Sequence, residues 1–306
     1  MFQGDIVDDT KGINYAVRQY LFWGVHLMCL FALFTEVSWV AVAVCVFLYF
    51  IRMFAITGGY HRYFSHRSYK TSRLFQFLLG FLGATSGQKG PIWWASHHRH
   101  HHQHSDQPED VHSPLVSGIY YAHVGWILSR QFIHTRHDLV KDLMKFPELR
   151  ALDAYNWIPP TLLGVACFYL GVFLNYAYPE LGTSGFQMLI WGFFMSTVLL
   201  YHGTFCINSF THLIGNRRFQ TSDDSRNNLF LSLITLGEGW HNNHHRYPGS
   251  ERQGFYWWEI DISHYILSML SWMGLVWDLR SPPKRIYEEA KQTTPEEAKK
   301  IKAVAA

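Results

Sequence analysis

Residues 157–212, WIPPTLLGVACFYLGVFLNYAYPELGTSGFQMLIWGFFMSTVLLYHGTFCINSFTH, contain neither Lys nor Arg, and the gap in positive charge runs from Ala151 to Asn216. A helix crossing a bilayer needs about 17–25 mostly apolar residues. This stretch offers two, about Trp157–Tyr176 and Phe186–Ile207, broken at Tyr178-Pro179-Glu180-Leu181-Gly182, with Pro159-Pro160 suited to a first helical turn. A second gap, from Gln19 to Ile51, holds about Tyr20–Phe34 and Val37–Ile56, parted at Thr35-Glu36. Arg52 then lies near a span end, where a long side chain can snorkel to the interface. Four spans in two hairpins are expected. Both short connections carry a Glu and no Lys or Arg, whereas 57–150, 208–306 and the N-terminus hold nearly all the positive charge. The positive-inside rule therefore places both termini and those two segments in the cytoplasm. The expected class is an all-α integral membrane protein with a helical cytoplasmic cap.

Composition agrees. Aromatic residues reach 17% and charged residues 16%, against about 25% charged in a soluble domain. A net charge of +3 is too slight to argue for nucleic acid. Cys29, Cys45, Cys167 and Cys206 lie in apolar stretches without a CxxC pair and read as small buried hydrophobes. The N-terminus lacks the basic region of a signal peptide. Leu74–Ala84 is too short to span, and Ile262–Trp277, beside Trp257-Trp258, reads as an interfacial helix. Thr294-Pro295-Glu296-Glu297 carries a helix-start signature. With no repeat or linker, residues 1–306 read as one domain.

Four histidine clusters fall in the two cytoplasmic segments or directly against them. They are His61-Arg62-Tyr63-Phe64-Ser65-His66, His98-Arg99-His100-His101-His102, Asn208-Ser209-Phe210-Thr211-His212 and His241-Asn242-Asn243-His244-His245. Positions i, i+3 and i+4 of a helix share a face, so His98, His101 and His102 are expected to point one way, as are His241, His244 and His245. His61 and His66 diverge by about 140° on a regular helix, which suits two neighbouring ions. Neutral imidazole is the commonest metal ligand, and nine histidines suit two ions. A structural zinc site closes at four ligands and usually uses Cys; soluble di-iron bundles use Glu with Glu-x-x-His. Neither pattern occurs. Imidazole alone does not name the metal, but iron suits O₂ activation. Asp106, Asp110 and Glu238 are the nearest carboxylates able to orient the rings. His97, His100 and His104 fall off the shared face, and His26, His112, His123, His134, His137, His202 and His264 read as structural or hydrogen-bonded groups.

In order, the clusters read HxxxxH, HxxHH, NxxxH and HxxHH. With HRYFSHRSYKTSR at 61–73, AHVGWIL at 122–128 and GEGWHNNHH at 237–245, the chain resembles the membrane fatty-acid desaturases, in their stearoyl-CoA (Δ9-type) branch, from about residue 20 to 280. The resemblance implies a di-iron centre on His61, His66, His98, His101, His102, His212, His241, His244 and His245, with Asn208 acting through water. It also implies O₂-dependent insertion of a cis double bond, at Δ9, into a long-chain acyl substrate. Substrate contacts carry over to Gln88, Trp94 and Thr204 at the bend of an acyl tunnel and to Trp126 and Arg130 at its mouth. The chain has no fused haem motif, iron–sulfur cysteine set or GxGxxG, so electrons come from a separate donor such as a ferredoxin or a cytochrome b5-type protein. A bacterial inner membrane is expected rather than the endoplasmic reticulum.

Two departures bear on the acyl carrier. The animal acyl-CoA enzymes have Arg-Asp before the HxxHH box and Arg-Lys further on, whereas this chain has Ser96-His97 and Arg130-Gln131. CoA, acyl carrier protein and a membrane lipid all stay open as carriers. Related hydroxylases, acetylenases and decarboxylases share similar boxes. A histidine-rich metal transporter or sensor would explain His97–His104 but not the distant Asn208/His212 and His241/His244/His245 sets.

Overall fold

The computed structural model describes residues 15–292; the expected helix start at Thr294 lies outside them. The elements are almost all helical. Helix α1 (Tyr15–Met28) tightens into a 3₁₀ segment, Cys29–Phe34. α2 covers Trp39–Ser65, α3 Arg73–Ala84, α4 Pro91–His104 and α5 Pro147–Ala154. α6 covers Ile158–Ala177 and α7 Gly185–Phe210. α8 (Leu229–Ile234), α9 (His241–Arg246), α10 (Ile262–Trp272) and α11 (Lys284–Gln292) follow, and short helical turns at Pro114–Ser117, Tyr121–Gly125 and Trp126–Leu128 lie between α4 and α5. A two-residue antiparallel pair, Lys70–Thr71 with Val276–Trp277, joins the segment after α2 to the one after α10.

Local chemistry sets the boundaries. The hydroxyls of Ser72 and Ser184 accept from the Phe75 and Gln187 amides at the starts of α3 and α7, and Asp261 accepts from the His264 amide at the start of α10. Pro91 opens α4, and Pro159 and Pro160 sit in the first turn of α6. Gly182 turns the α6–α7 connection at φ +58°, a left-handed geometry that glycine adopts without Cβ strain.

Among the described residues, three helices are long and apolar enough to cross a membrane: α2 with 27 residues, α6 with 20 and α7 with 26. The expected first span, 20–34, is helical but remains a shorter apolar helix, Gln19–Phe34. Its last turn is 3₁₀ and the chain is extended at Thr35. α2 and α7 run past the ends expected for them, 56 and 207, and carry their last turns towards the histidines. Arg52 is therefore mid-helix and does not snorkel. It is fully buried, donating to the Leu48 carbonyl (2.9 Å), Thr197 Oγ1 (2.9 Å) and Ser196 Oγ (2.5 Å), which ties α2 to α7. The Ile262–Trp277 helix is also shorter than expected: it stops at Trp272, and Gly274 (φ +73°) turns the chain into the short strand.

The largest core joins Met53, Ile56, Tyr60 and Phe64 of α2 to Leu79, Ile92, Leu149, Leu200 and Leu267 from five other helices. α6 and α7 approach most closely at Gly171, where a Cβ would stand 2.3 Å from the Ser184 carbonyl oxygen and 2.6 Å from Met188 Cβ. Overpacking at such a site costs about 1–3 kcal/mol. Gly171→Val is expected to lower the thermal unfolding midpoint in detergent by several degrees. Gly24→Val, with nothing within 4 Å of the new Cβ, should leave it unchanged; fluorescence-detected size exclusion after heating compares the two.

Candidate metal centre

The nine histidines converge as two groups, and the grouping differs from a helical-wheel reading. Ligand atoms of His61, His66, His98, His102 and His244 all lie within 4.8 Å of one another, and so do those of His101, His212, His241 and His245. His61 and His66 were expected to diverge but share the first group. The end of α2 is wound in π-turns, with the His66 amide bonded to the His61 carbonyl at 3.2 Å. A turn closed five residues apart returns residue i+5 to the face of residue i. The two HxxHH boxes, expected to present one face each, are divided. His98 and His102 are about 40° apart on a helix and His101 is about 100° from His102. α4 therefore gives two ligands to one group and one to the other. α9 does the reverse, with His241 and His245 in the second group and His244 in the first.

Within the groups, nitrogen faces nitrogen. His61 Nε2 lies 3.0 Å from His244 Nε2, which lies 2.9 Å from His102 Nε2. His66 Nε2 is 2.8 Å from His98 Nε2, and His212 Nε2 is 3.2 Å from His241 Nε2. Nε2 of His101 and of His245 is buried without a hydrogen-bond partner.

Four of the opposite ring nitrogens are held by carboxylates, whereas Nδ1 of His241 and of His244 is buried without a hydrogen-bond partner. His101 Nδ1 donates to Asp110 (2.7 Å), His212 Nδ1 to Asp106 (2.9 Å), His245 Nδ1 to Asp223 (2.7 Å) and His61 Nδ1 to Glu238. A neutral imidazole has one N–H and one lone pair, so a carboxylate at Nδ1 aims the Nε2 lone pair inward. Converging lone pairs with no proton between them suit a cation, and this donor set fits two transition-metal ions. Glu238 is itself held by Arg62 (3.2 Å) and Gln253 (2.9 Å), and Arg62 forks onto Asp261 (2.9 and 3.1 Å).

Electrostatics favour neutral ligands. Burial, reinforced by neighbouring imidazoles, pushes His98, His102, His241 and His244 well below the usual histidine range. Burial also lowers His245, to about 4 against the pull of Asp223. His101 goes up: burial opposes protonation most strongly, but the charge and hydrogen bond of Asp110 together with the charges of Asp106 and Asp223 outweigh it, and such carboxylates raise ligand basicity. Burial alone would raise Asp106; the hydrogen bond and charge of His212, with hydrogen bonds from Ser113 and the Asp224 amide, together bring it down to about 2.

Asp106, Asp110 and Glu238, expected as orienting groups, each meet a histidine. Asp223 was missed, because it sits in a polar loop with no spacing that ties it to His245, 22 residues away. The remaining histidines stand apart from the two groups, with one exception: the His112 ring lies 4.3 Å from that of His101, and with His101 and Asp110 it makes a third compact set. His97 packs on Trp93, His100 bonds the Glu109 carbonyl, and His264 bonds Glu251. His26, His202 and His123 form a hydrogen-bonded row ending at Ser209.

A cavity of about 810 Å³ opens onto the two groups. Its lining includes His61, His98, His101, His241 and Asn208 together with Val25, Met53, Ile56, Leu189 and Phe193 of the apolar helices. Gln88, Trp94, Trp126 and Thr204 line it; Arg130 does not, and is exposed on the 128–133 segment whose ends do. Gln88 Nε2 donates to Thr204 Oγ1 (3.1 Å), and Trp94 stacks on His98 at 5.0 Å.

Residues 37–275 match the family model described as fatty acid desaturase. The chain is 36% identical to the acyl-CoA C20 Delta5-desaturase of Anemone leveillei, over 85% of this chain and 80% of that protein. It is 34% identical to the sn-1 stearoyl-lipid 9-desaturase of Anabaena variabilis, over 92% of this chain and 99% of the relative. To the Delta-9 acyl-lipid desaturase 1 of Arabidopsis thaliana it is 34% identical, over 84% and 81%.

If Asp223 fixes the His245 lone pair, Asp223→Asn should weaken metal binding about 10–100-fold, as loss of such partners commonly does. Plasma mass spectrometry after dialysis against graded chelator reads this, with Lys141→Ala as the unaffected reference.

Proposed function

The chain belongs to the fatty acid desaturase family, and from that premise we propose an O₂-dependent enzyme that inserts a cis double bond, at Δ9, into a long-chain saturated acyl substrate. The observation that carries this reading is the pair of nitrogen-lined groups beside one cavity that apolar side chains also line. The ligands are His61, His66, His98, His102 and His244 for one iron and His101, His212, His241 and His245 for the other, with Asn208 acting through water. Bound there, the two irons supply the oxidising chemistry. The overall balance is –CH₂–CH₂– + O₂ + 2 e⁻ + 2 H⁺ → –CH=CH– + 2 H₂O. A separate donor, a ferredoxin or a cytochrome b5-type protein, provides the electrons.

The chain's own groups hold the substrate. An alkyl chain has no polar handle, so position along it is set by shape. The Gln88–Thr204 hydrogen bond pins one wall of the cavity, and Trp94 and Trp126 are rigid surfaces beside the histidines. Replacement of water by apolar side chains keeps reactive oxygen chemistry from side reactions. Arg130 serves the head group from outside the cavity. Ser96-His97 and Gln131 offer fewer cations to a CoA phosphate than the animal acyl-CoA enzymes do, and the relatives include both acyl-CoA and acyl-lipid desaturases, so CoA, acyl carrier protein and a membrane lipid all stay open as carriers. The whole chain, 1–306, acts as one membrane domain, with 20–34 as a fourth span completed by packing, and with both termini and the histidines cytoplasmic.

Expressed in a desaturase-deficient host, the chain should yield a new monounsaturated fatty acid only with O₂, read by gas chromatography with mass spectrometry. A hydroxylated or shortened product would move it to another branch of the family. His101→Ala and His244→Ala should each abolish the product and lower bound iron, whereas His134→Ala should leave both unchanged. Arg130→Ala should raise KM with little change in kcat if an anionic head group docks there.

A further inference from the structure

Outside the apolar helices, two segments of the cap expose large apolar side chains. On α8 these are Leu229, Phe230 (69% exposed) and Leu233; from 257 to 273 they include Trp257, Ile260, Met269 and Trp272 (88% exposed). Neither segment shows solvent an ionised side chain. Residues 227–237 contain no Asp, Glu, Lys or Arg, and residues 255–277 contain only Glu259 and Asp261. Both of these are buried and face inward, Glu259 to Arg218 and Asp261 to Arg62. Soluble surfaces rarely leave a patch of this kind uncovered.

The two segments form one surface fixed to a membrane helix. The Ile260 carbonyl accepts from Ser232 Oγ (3.0 Å) and Trp240 Nε1 (2.8 Å), and the Ser263 amide donates to the Leu236 carbonyl (2.8 Å). Tyr49 of α2 donates to the Ile234 carbonyl (2.7 Å), and Thr57 of α2 meets Ser263 across 2.7 Å. Thr57 lies one turn before His61. The uncharged surface is thus continuous with the lipid-facing side of α2, where Val46, Phe47 and Phe50 are exposed.

Resting on the membrane-spanning reading of α2, we propose that α8, the 255–260 turn and α10 form a collar embedded in the lipid leaflet on the histidine side, setting how far the metal centre stands from the hydrocarbon. Exposed tryptophans at such a level match the headgroup boundary. Amphipathic elements there lie about 5–10 Å into it. The inward turn of Glu259 and Asp261 is what makes the immersion possible, since each carboxylate is paired on its inner side with a guanidinium, the half-buried Arg218 and the buried Arg62.

The test uses the full chain in phosphatidylcholine vesicles, with Cys29 and Cys206 replaced by Ser. A polarity-sensitive fluorophore is attached at Phe230→Cys or Trp272→Cys, and quenched by lipids spin-labelled near the headgroup or near the chain end. Phe47→Cys on α2 is the membrane reference. Lys141→Cys, beside the Asp142 that pairs with Arg67 beyond the end of α2, is the aqueous one. The expected result is strong loss of fluorescence at 230 and 272 with the headgroup-proximal label, weaker loss with the deep label, and none at 141. Leu229→Cys and Met273→Cys give a second pair should the first fail to fold. Quenching at 47 with none at the collar positions would overturn the collar and leave the patch to a protein partner. No quenching at 47 would overturn the spanning reading and the collar with it.

Discussion

A carboxylate on the outer nitrogen of an imidazole is the interaction on which the rest of this structure depends. Four of the nine grouped histidines carry one: His61, His101, His212 and His245. Each bond fixes a tautomer and turns one lone pair towards a shared centre. Without it, a buried ring can rotate or place its proton inward, and the nitrogens 2.8–3.2 Å apart become ordinary hydrogen-bond partners. The bonds also explain how so many titratable groups are tolerated in one buried place. The carboxylates would balance the charge of bound cations, and burial and neighbouring imidazoles disfavour protonation of His98, His102, His241 and His244.

Two of the long apolar helices run on beyond their apolar stretches towards these rings. α2 and α7 deliver His61 and His212 at or just beyond their ends. The change of winding at 55–65 then decides the ligand partition, because a π-turn restores a five-residue spacing to one face. Arg52 shows the same continuity from the other side: mid-helix, it is consumed by Ser196 and Thr197 and becomes a tie between spans. The cavity follows from this arrangement. Met53, Ile56, Leu189 and Phe193 of α2 and α7 line it together with His61 from the end of α2, His98 and His101 of α4 and His241 of α9, so apolar and nitrogen-bearing surfaces meet in one space.

Much of this was legible in the sequence. The two Lys- and Arg-free gaps located the apolar helices, because a bilayer excludes charge over a fixed length, and the i, i+3, i+4 spacing of the boxes marked His98, His101, His102, His241, His244 and His245 as ligand donors on helices. Asp106, Asp110 and Glu238 could be singled out because they lie close to a box along the chain. What local pattern determined was element type and the candidate donors. Only the tertiary structure decided which histidines share a group, since a helical wheel gives angles within one helix and neither its winding nor its neighbours. It alone joined Asp223 to His245, buried Arg52, and turned Glu259 and Asp261 inward. Each of these rests on where a side chain finds a partner across the fold, and no spacing along the chain encodes that distance.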